Sequence, residues 1–356
     1  MSITNLDDVK AFRQIDSQDM LGAIHGLPRQ LQSAWDLGNQ QPLPEWKGIQ
    51  RVLITGMGGS AIGADLLAAY TAPHCPVPVF VLRDYGLPAW AQGKETLVIA
   101  SSHSGNTEET LSSFEQATSR GCQRLAVTTG GKLAEAARST NAALWTFEHK
   151  GQPRAAVGYS FGLLLAAFTR LGLTPDPANE LAGTVSAMER QQDQLKPDVL
   201  VVNNPAKLIA GQLMEHFVVV LGAGILAPVA RRWKGQISEV AKAWGQFEFL
   251  PEADHNTLAG ILNPEETLSK LMVLFLRASS DHPRNQLRTE LTRKAFMLEG
   301  INTSFVDAQG DTSLAQLWTT LHLGDYTAYY LAMSYGVDPT PVESIEGFKR
   351  EMKAAG

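Results

Sequence analysis

The segment RVLITGMGGSAIG, residues 51–63, is the most informative part of the sequence for fold class. It opens with an unbroken apolar run, Val52, Leu53 and Ile54, of the kind found in strands covered on both faces. A turn rich in glycine follows, and helical sequence begins beyond it. This order predicts a strand, a tight turn and a helix, which is the repeating unit of an α/β protein with a parallel sheet.

The same alternation continues along the chain. Further strands are predicted over residues 79–82, 96–100, 125–128 and 143–146, with helices over 61–70, 107–118, 133–139 and 159–171. A second series has strands over 217–221, 271–276 and 304–306 and helices over 229–243 and 285–298. A long helix over 314–335 and a final helix from about residue 342 close the chain. We therefore expect two α/β sandwiches in tandem.

The length of 356 residues also favours two domains, at roughly 100 to 200 residues each. Residues 1–50 carry an amphipathic helical pattern with Leu21, Ile24, Leu27 and Leu31, which predicts a packing arm. The first domain is predicted over 51–175 and the second, with the C-terminal helices, over 176–356. A polar stretch with two prolines, residues 174–179, would join them.

Charge and hydropathy exclude several classes of protein. Thirty Lys and Arg against 36 Asp and Glu give a net charge of −6, which is not the basic footprint of a nucleic-acid or anionic-membrane binder. The most apolar segment, residues 217–228, is too short to span a bilayer and predicts a buried strand and turn. The polar, acidic first ten residues do not resemble a secretory signal.

The chain has two cysteines, Cys75 and Cys122, and their spacing fits neither a zinc site nor a disulfide framework. We predict that both are core residues of a cytoplasmic protein in a reducing compartment. No metal, nucleic-acid or membrane partner is expected.

The glycine-rich turn at residues 55–63 can direct several backbone N–H groups and a helix N-terminus at one anion. It lacks the Gly-Lys-Ser/Thr of a P-loop, and its glycine spacing fits the dinucleotide fingerprint poorly, so neither ATP nor NAD is favoured. A tight turn with no ligand is the structural alternative.

A second polar turn, SSHSGNTEET at residues 101–110, follows another apolar strand. Ser102, Ser104 and Thr107 supply hydroxyl groups, although Thr107 or Asn106 could instead cap the next helix. The carboxyl ends of parallel strands share one edge of the sheet, where such sheets bind ligands. The two turns together therefore predict a site for a phosphate on a neutral ligand body.

These two turns resemble those of the bifunctional phosphoglucose/phosphomannose isomerases, and the resemblance continues almost to the C-terminus. It implies two tandem three-layer αβα sandwiches of the SIS (sugar isomerase) type, with parallel, flavodoxin-like sheets. It also implies a set of phosphate-binding residues, with His103 where the family usually has Tyr. That set is Gly58, Gly59, Ser60, Ser102, Ser104 and Thr107.

Four catalytic residues are implied by the same resemblance. Arg154, in PRAA at residues 153–156, would stabilise an enediolate oxygen. Glu239 would shuttle a proton between adjacent carbons, with Ser238 and Val240 where the family has asparagines. His255 would open the sugar ring, helped by Lys349 near the C-terminus. Thr257 stands where the family usually has Glu.

The resemblance implies reversible isomerisation of glucose 6-phosphate and mannose 6-phosphate to fructose 6-phosphate through a cis-enediol. It implies no cofactor, and a homodimer in which His255 reaches the partner's phosphate site, with residues 247–256 at the interface. Two alternatives remain open at this point. One is a phosphosugar-binding regulator without catalysis, and the other is an isomerase of another phosphosugar.

Overall fold

The computed structural model describes residues 5–355 and contains two parallel sheets. The first has five strands in the order β2-β1-β3-β4-β5. They are β1 Arg51–Thr55, β2 Val79–Leu82, β3 Thr96–Ser102, β4 Gln123–Thr128 and β5 Ala143–Thr146. The chain winds outward in both directions from β1 and β3, so the crevice between their carboxyl ends is the expected ligand position.

The second sheet has four parallel strands in the order β7-β6-β8-β9. They are β6 Phe217–Ala223, β7 Gly245–Leu250, β8 Leu271–Arg277 and β9 Asn302–Asp307. The prediction of tandem α/β units with parallel sheets is confirmed. The predicted boundary between residues 175 and 176 stays a prediction.

Helices cover the sheets. The N-terminal arm consists of α1 Val9–Ile15, α2 Met20–His25 and α3 Leu27–Gln40. Around the first sheet lie α4 Gly58–Thr71, α5 Glu108–Ser119, α6 Gly131–Ser139 and α7 Val157–Arg170. The remaining helices are α8 Ala178–Leu195, α9 Pro205–Leu213, α10 Ala227–Glu239, α11 Glu265–Leu268, α12 Pro283–Leu298, α13 Ser313–Tyr335 and α14 Glu343–Ala355.

One apolar cluster runs through the centre of the molecule. Helix α13 lies within it, packs against α8, α9 and α10, and is buried over almost its whole length. The arm joins the same cluster, because α3 packs against α7 and Trp35 and Leu31 are buried there. This packing holds α7 and α10, the two helices that lead to the candidate site, on one rigid base.

Several boundaries differ from the sequence prediction. Gly26 separates α2 from α3, where one amphipathic helix was expected. Helix α4 starts at Gly58 rather than residue 61, and α10 ends at Glu239 rather than residue 243, where Lys242 has a left-handed φ of 56°. Strand β7 and helices α8 and α9 were not predicted. β7 is an edge strand whose polar Gln246 and Glu248 interrupt the apolar pattern.

Residues 217–228 form β6 and the following turn, as expected. Within residues 5–355, no helix has both the length and the apolar character needed to cross a membrane. Both cysteines are free thiols; Cys122 is buried, and Cys75 is half-buried and packs against the central apolar cluster.

Candidate active site

Two turns meet at the carboxyl edge of the first sheet. Helix α4 begins at Gly58, whose φ of 49° is in the left-handed region that favours glycine. The Oγ atom of the buried Ser60 accepts a hydrogen bond from the backbone N–H of His103, at 3.2 Å. Because Ser60 accepts in this bond, its own hydroxyl hydrogen stays available to donate to an anion.

The second turn carries a pair of hydroxyl groups. Ser102, the buried last residue of β3, accepts a hydrogen bond from the N–H of Gly105 at 3.1 Å, and its Oγ lies 2.9 Å from Oγ1 of Thr107. Thr107 holds the N-cap position of α5 but makes no capping hydrogen bond. The mutual bond uses one of the two hydroxyl hydrogens and leaves one free. The helix-cap alternative is therefore wrong for Thr107.

Ser104 and Asn106 form the outer part of this turn, and both are exposed. The Oγ of Ser104 accepts from the N–H of Asn106 at 3.2 Å. The Oδ1 atom of Asn106 accepts a hydrogen bond from the N–H of Lys132, in the first turn of α6, and does not cap α5. Ser104 thus keeps a hydroxyl donor at the mouth of the crevice.

Gly59 brings the first turn against the segment that carries Arg154. A Cβ atom added at Gly59 would lie 2.7 Å from the carbonyl oxygen of Pro153, so any larger residue would push the two segments apart. Pro153 begins the short 3-10 helix Pro153–Ala156, which leads directly into α7. The absence of a side chain at Gly59 therefore sets the distance between the first turn and Arg154.

Arg154 is only 3% exposed, and its guanidinium is held by the chain near the C-terminus. Nη2 donates to the carbonyl oxygens of Pro339, at 2.9 Å, and Thr340. Its Nε–H is buried with no hydrogen-bond partner among the described residues. Burial lowers the pKa of this guanidinium and nearby Glu239 opposes the shift. The group remains a fixed cation, since arginine is not deprotonated in proteins.

Glu239 is the last residue of α10, and its Oε2 atom lies 3.6 Å from Nη1 of Arg154. The same helix carries Arg232, which donates from Nη2 to the carbonyl oxygen of Arg154 at 2.8 Å. Arg232 is fixed by two hydrogen bonds to the buried Asp325, at 3.0 and 2.8 Å. Helix α10 therefore holds the backbone of Arg154 with one residue and faces its side chain with another.

Lys242 belongs to the same cluster, and the sequence analysis did not assign it a role. Its Nζ donates to the carbonyl oxygens of Glu239, at 2.5 Å, and Pro339, at 3.3 Å. Desolvation and then the nearby Arg154 lower the pKa of this lysine to about 8. Its only sequence signal was its position at the end of the segment that contains Glu239.

Within one chain, over residues 5–355, His255 and Lys349 make no hydrogen bond or ion pair with this cluster. His255 ends the 3-10 helix Glu252–His255 that follows β7, and it is exposed. Lys349 is exposed on α14, with its Nζ 3.0 Å from Glu346. Among the described residues, neither one bonds to Arg154, Glu239 or the two turns. The chain thus brings together eight of the ten predicted site residues.

The corresponding edge of the second sheet has different chemistry. Gly224 follows β6 with a φ of 50°, close to that of Gly58, but Ile225 and Leu226 come next where the first turn has Gly59 and Ser60. The carboxylate of Asp281 fills the space beside Gly224: a Cβ there would lie 2.6 Å from Oδ1. A carboxylate repels an anion, so this edge of the second sheet is a poorer anion site than the corresponding edge of the first sheet.

This combination of two parallel doubly wound sheets with a hydroxyl-lined glycine turn is found in the sugar isomerase (SIS) class of phosphosugar proteins. A family model described as the bacterial phospho-glucose isomerase C-terminal SIS domain matches residues 202–352. The fold is similar to that of a glucose-6-phosphate isomerase like protein from Thermus thermophilus, with a TM-score of 0.63 and 19% identity. That match covers 96% of this chain and 99% of the other.

Relatives over the whole length define the family more narrowly. A bifunctional phosphoglucose/phosphomannose isomerase of Caldicellulosiruptor bescii is 38% identical over 94% of this chain and 98% of its own length. One from Aquifex aeolicus is 34% identical over 87% of this chain and 94% of its own. The chain belongs to the bifunctional phosphoglucose/phosphomannose isomerase family. The sequence resemblance is confirmed.

Proposed function

We propose that this chain catalyses reversible aldose–ketose isomerisation of hexose 6-phosphates, interconverting glucose 6-phosphate and mannose 6-phosphate with fructose 6-phosphate. Family membership supports the reaction class. The observation that carries the proposal is the placement of Glu239 3.6 Å from Arg154, next to a turn that offers hydroxyl donors. A base, a cation and an anion cradle are the three elements that the reaction requires.

The phosphate would be bound by Gly58, Gly59, Ser60, Ser102, Ser104 and Thr107. Backbone N–H groups at the start of α4 and the free hydroxyl hydrogens are donors, and the helix N-terminus favours negative charge. The phosphate therefore anchors the substrate, and a sugar without it loses most of the binding energy.

Glu239 would remove the proton from C2 of the open-chain aldose and return it to C1, which gives the ketose. The electron pair left at C2 forms the C1–C2 double bond of the cis-enediol, and the carbonyl electron pair moves to O1, where negative charge develops. When C1 takes up the proton and the C2 carbonyl forms, the proton of the C2 hydroxyl passes to O1. Arg154 would stabilise that charge, since its carbonyl contacts hold it in place before the reaction begins. Both C2 epimers give the same enediol, so one base can serve glucose and mannose 6-phosphates.

We propose that the working unit is a homodimer in which His255 enters the partner's site and opens the sugar ring together with Lys349. Support comes from the surface around these residues. Trp244, just before β7, is 66% exposed, and Phe249, within β7, is 42% exposed. Helix α14 has an apolar stripe, Ile345, Phe348 and Met352, that stays exposed in one chain. Aromatic surface of this kind is typical of interfaces.

The test is a panel of phosphosugars supplied to the purified protein, with fructose 6-phosphate measured by a coupled assay. Turnover of glucose 6-phosphate and mannose 6-phosphate, absent in a Glu239→Gln variant, is the expected result. Binding without turnover of any member would favour the regulator, and turnover of a different phosphosugar alone would favour another isomerase. Gel filtration with light scattering tests the dimer.

A further inference from the structure

Two histidines meet beside the phosphate turn, and the proposed mechanism uses neither. His103 lies between Ser102 and Ser104, and its Nε2 is 2.9 Å from Nδ1 of His149 in the loop after β5. The two half-buried rings pack edge to face, with centroids 5.1 Å apart. A hydrogen bond of this length requires that one of the two nitrogens carries the shared hydrogen.

The surroundings of this histidine pair are aromatic or hydroxylic. Phe147 packs against His103, and Tyr159 of α7 packs against Phe147 and His149. Ser60 of α4 and Thr129, after β4, bind only the backbone of His103. Among the described residues no carboxylate forms a hydrogen bond or ion pair with either imidazole. Glu148 and Lys150, next to His149 in the chain, are exposed.

With no anion beside it, the neutral pair cannot stabilise the positive charge that an added proton would bring. Burial, and then the proximity of His149, lower the pKa of His103 to about 4, and burial lowers the pKa of His149. At neutral pH the pair is therefore uncharged in the empty protein. A phosphate dianion bound in the turn would supply the missing negative charge, because His103 is part of that turn and orients Ser60.

We propose that the His103–His149 pair takes up one proton from solvent when a dianion occupies the phosphate turn, so that binding tightens as the pH falls. This rests on the proposed function only in placing the phosphate. The proton adds to the unprotonated ring nitrogen of the pair and leaves again with the ligand. His103 and His149 are positioning residues here, since the sugar chemistry stays with Glu239.

The direction of the pH dependence of anion affinity follows from the linkage between proton binding and anion binding. The bound dianion raises the pKa of the pair, so bound protein holds more protons than empty protein between the two pKa values. Affinity therefore increases as the pH falls through the bound-state pKa and levels off below that of the empty pair. The limit for one proton is about tenfold per pH unit.

Inorganic sulfate is the probe, because it stays a dianion over the range in which a phosphate monoester titrates, about pH 6. Calorimetric titrations from about pH 5 to about pH 8, in buffers of different ionisation enthalpy, measure both affinity and proton uptake. The variants are His149→Gln, which leaves the turn's own sequence unchanged, and His103→Gln. The matched control is His74→Gln, on an exposed residue after α4.

Wild-type protein and the His74 variant are expected to take up close to one proton per sulfate at the acidic end, and both pair variants close to none. Uptake that is unchanged in His149→Gln, or absent in wild type that binds sulfate, overturns the inference. If wild type isomerises hexose phosphates yet shows no uptake, only the inference fails. If it binds neither sulfate nor glucose 6-phosphate, the proposed function fails as well.

Discussion

Oε2 of Glu239 lies 3.6 Å from Nη1 of Arg154, and the carbonyl oxygen of Arg154 accepts from Arg232, a residue on the same helix as Glu239. The Glu239 carboxylate and the backbone of Arg154 are therefore both held by one element, α10. A shift of that helix would move the proposed base and the backbone of the proposed cation together. Because a substitution that shifts α10 would disturb both groups, substitutions that preserve side-chain size are the most informative.

Glu239→Gln should lower kcat by about 10²- to 10⁴-fold, the range typical of a general base, with little change in sulfate or sugar phosphate binding. The amide has nearly the same shape but cannot accept the C2 proton. Steady-state kinetics on folded protein, with binding measured separately, make the test. A rate near that of wild type would assign the base role to another residue.

Thr107→Val should raise the KM for glucose 6-phosphate about tenfold or more, because a hydrogen bond to a charged group is lost. The bond between Thr107 and Ser102 is lost as well, which frees the Ser102 hydroxyl to rotate. Ser104→Ala should also raise the KM for glucose 6-phosphate, but by less, since Ser104 is exposed.

Ser119→Ala, at the far end of α5, is the control for both phosphate-turn variants, and its KM should not change. Equal KM values for all three variants and wild type would mean that the turn after β3 does not bind the phosphate.

We expect the activity to fall at alkaline pH as Lys242 loses its proton, which gives an alkaline limb in the pH–activity profile. Its lowered pKa of about 8 means that it loses its charge above that pH, and a neutral amine holds the carbonyl oxygens of Glu239 and Pro339 less firmly. Lys242→Met should be less active at pH 7 and lack the limb, whereas Lys242→Arg should keep activity to higher pH. A limb near pH 8 that persists in both variants would belong to another group.

The first sheet and its two turns could be predicted because their signals are local. Strand β3 contains an unbroken apolar run, residues 97–100, and hydroxyl residues begin directly after that run. Strand β7 could not be recognised, because an edge strand with Gln246 and Glu248 lacks that pattern. A continuous apolar run marks a strand only when both of its faces are buried.

The surroundings of Arg154 lay beyond any local pattern. Its guanidinium is bound by carbonyl groups of Pro339 and Thr340, far along the chain, and its carbonyl by Arg232. The contact of His103 with His149 likewise joins two turns from different strands. Such contacts depend on tertiary packing, whereas the candidate residues themselves could be selected by family resemblance.

Asp281→Asn should stabilise the protein at neutral pH. Asp281 is 8% exposed, and burial raises its pKa from 3.8 to about 6. The folded state therefore binds more protons than the unfolded state between those values, so stability falls as the pH rises through that window. The gain in the free energy of unfolding should be on the order of 3 kcal/mol at about pH 8 and vanish below about pH 4.

Urea unfolding at several pH values measures this difference, with Asp311→Asn, an exposed aspartate nearby, as the control. A gain for Asp281→Asn that is the same at acidic and neutral pH would point to altered packing rather than to the buried charge.

The proposed homodimer predicts complementation between two inactive variants. A Glu239→Gln chain keeps His255, and a His255→Ala chain keeps Glu239, so a mixed dimer contains one site with both residues intact. Neither parent dimer contains such a site. At equal mixing, half of the dimers are mixed and each has one complete site of two, so about a quarter of the wild-type rate should return. Co-purification of differently tagged chains must first show that subunits exchange. Because His255 is exposed and bonded to none of the site residues of its own chain, exchange without recovered turnover would mean that His255 reaches its own site by a rearrangement or does not open the ring.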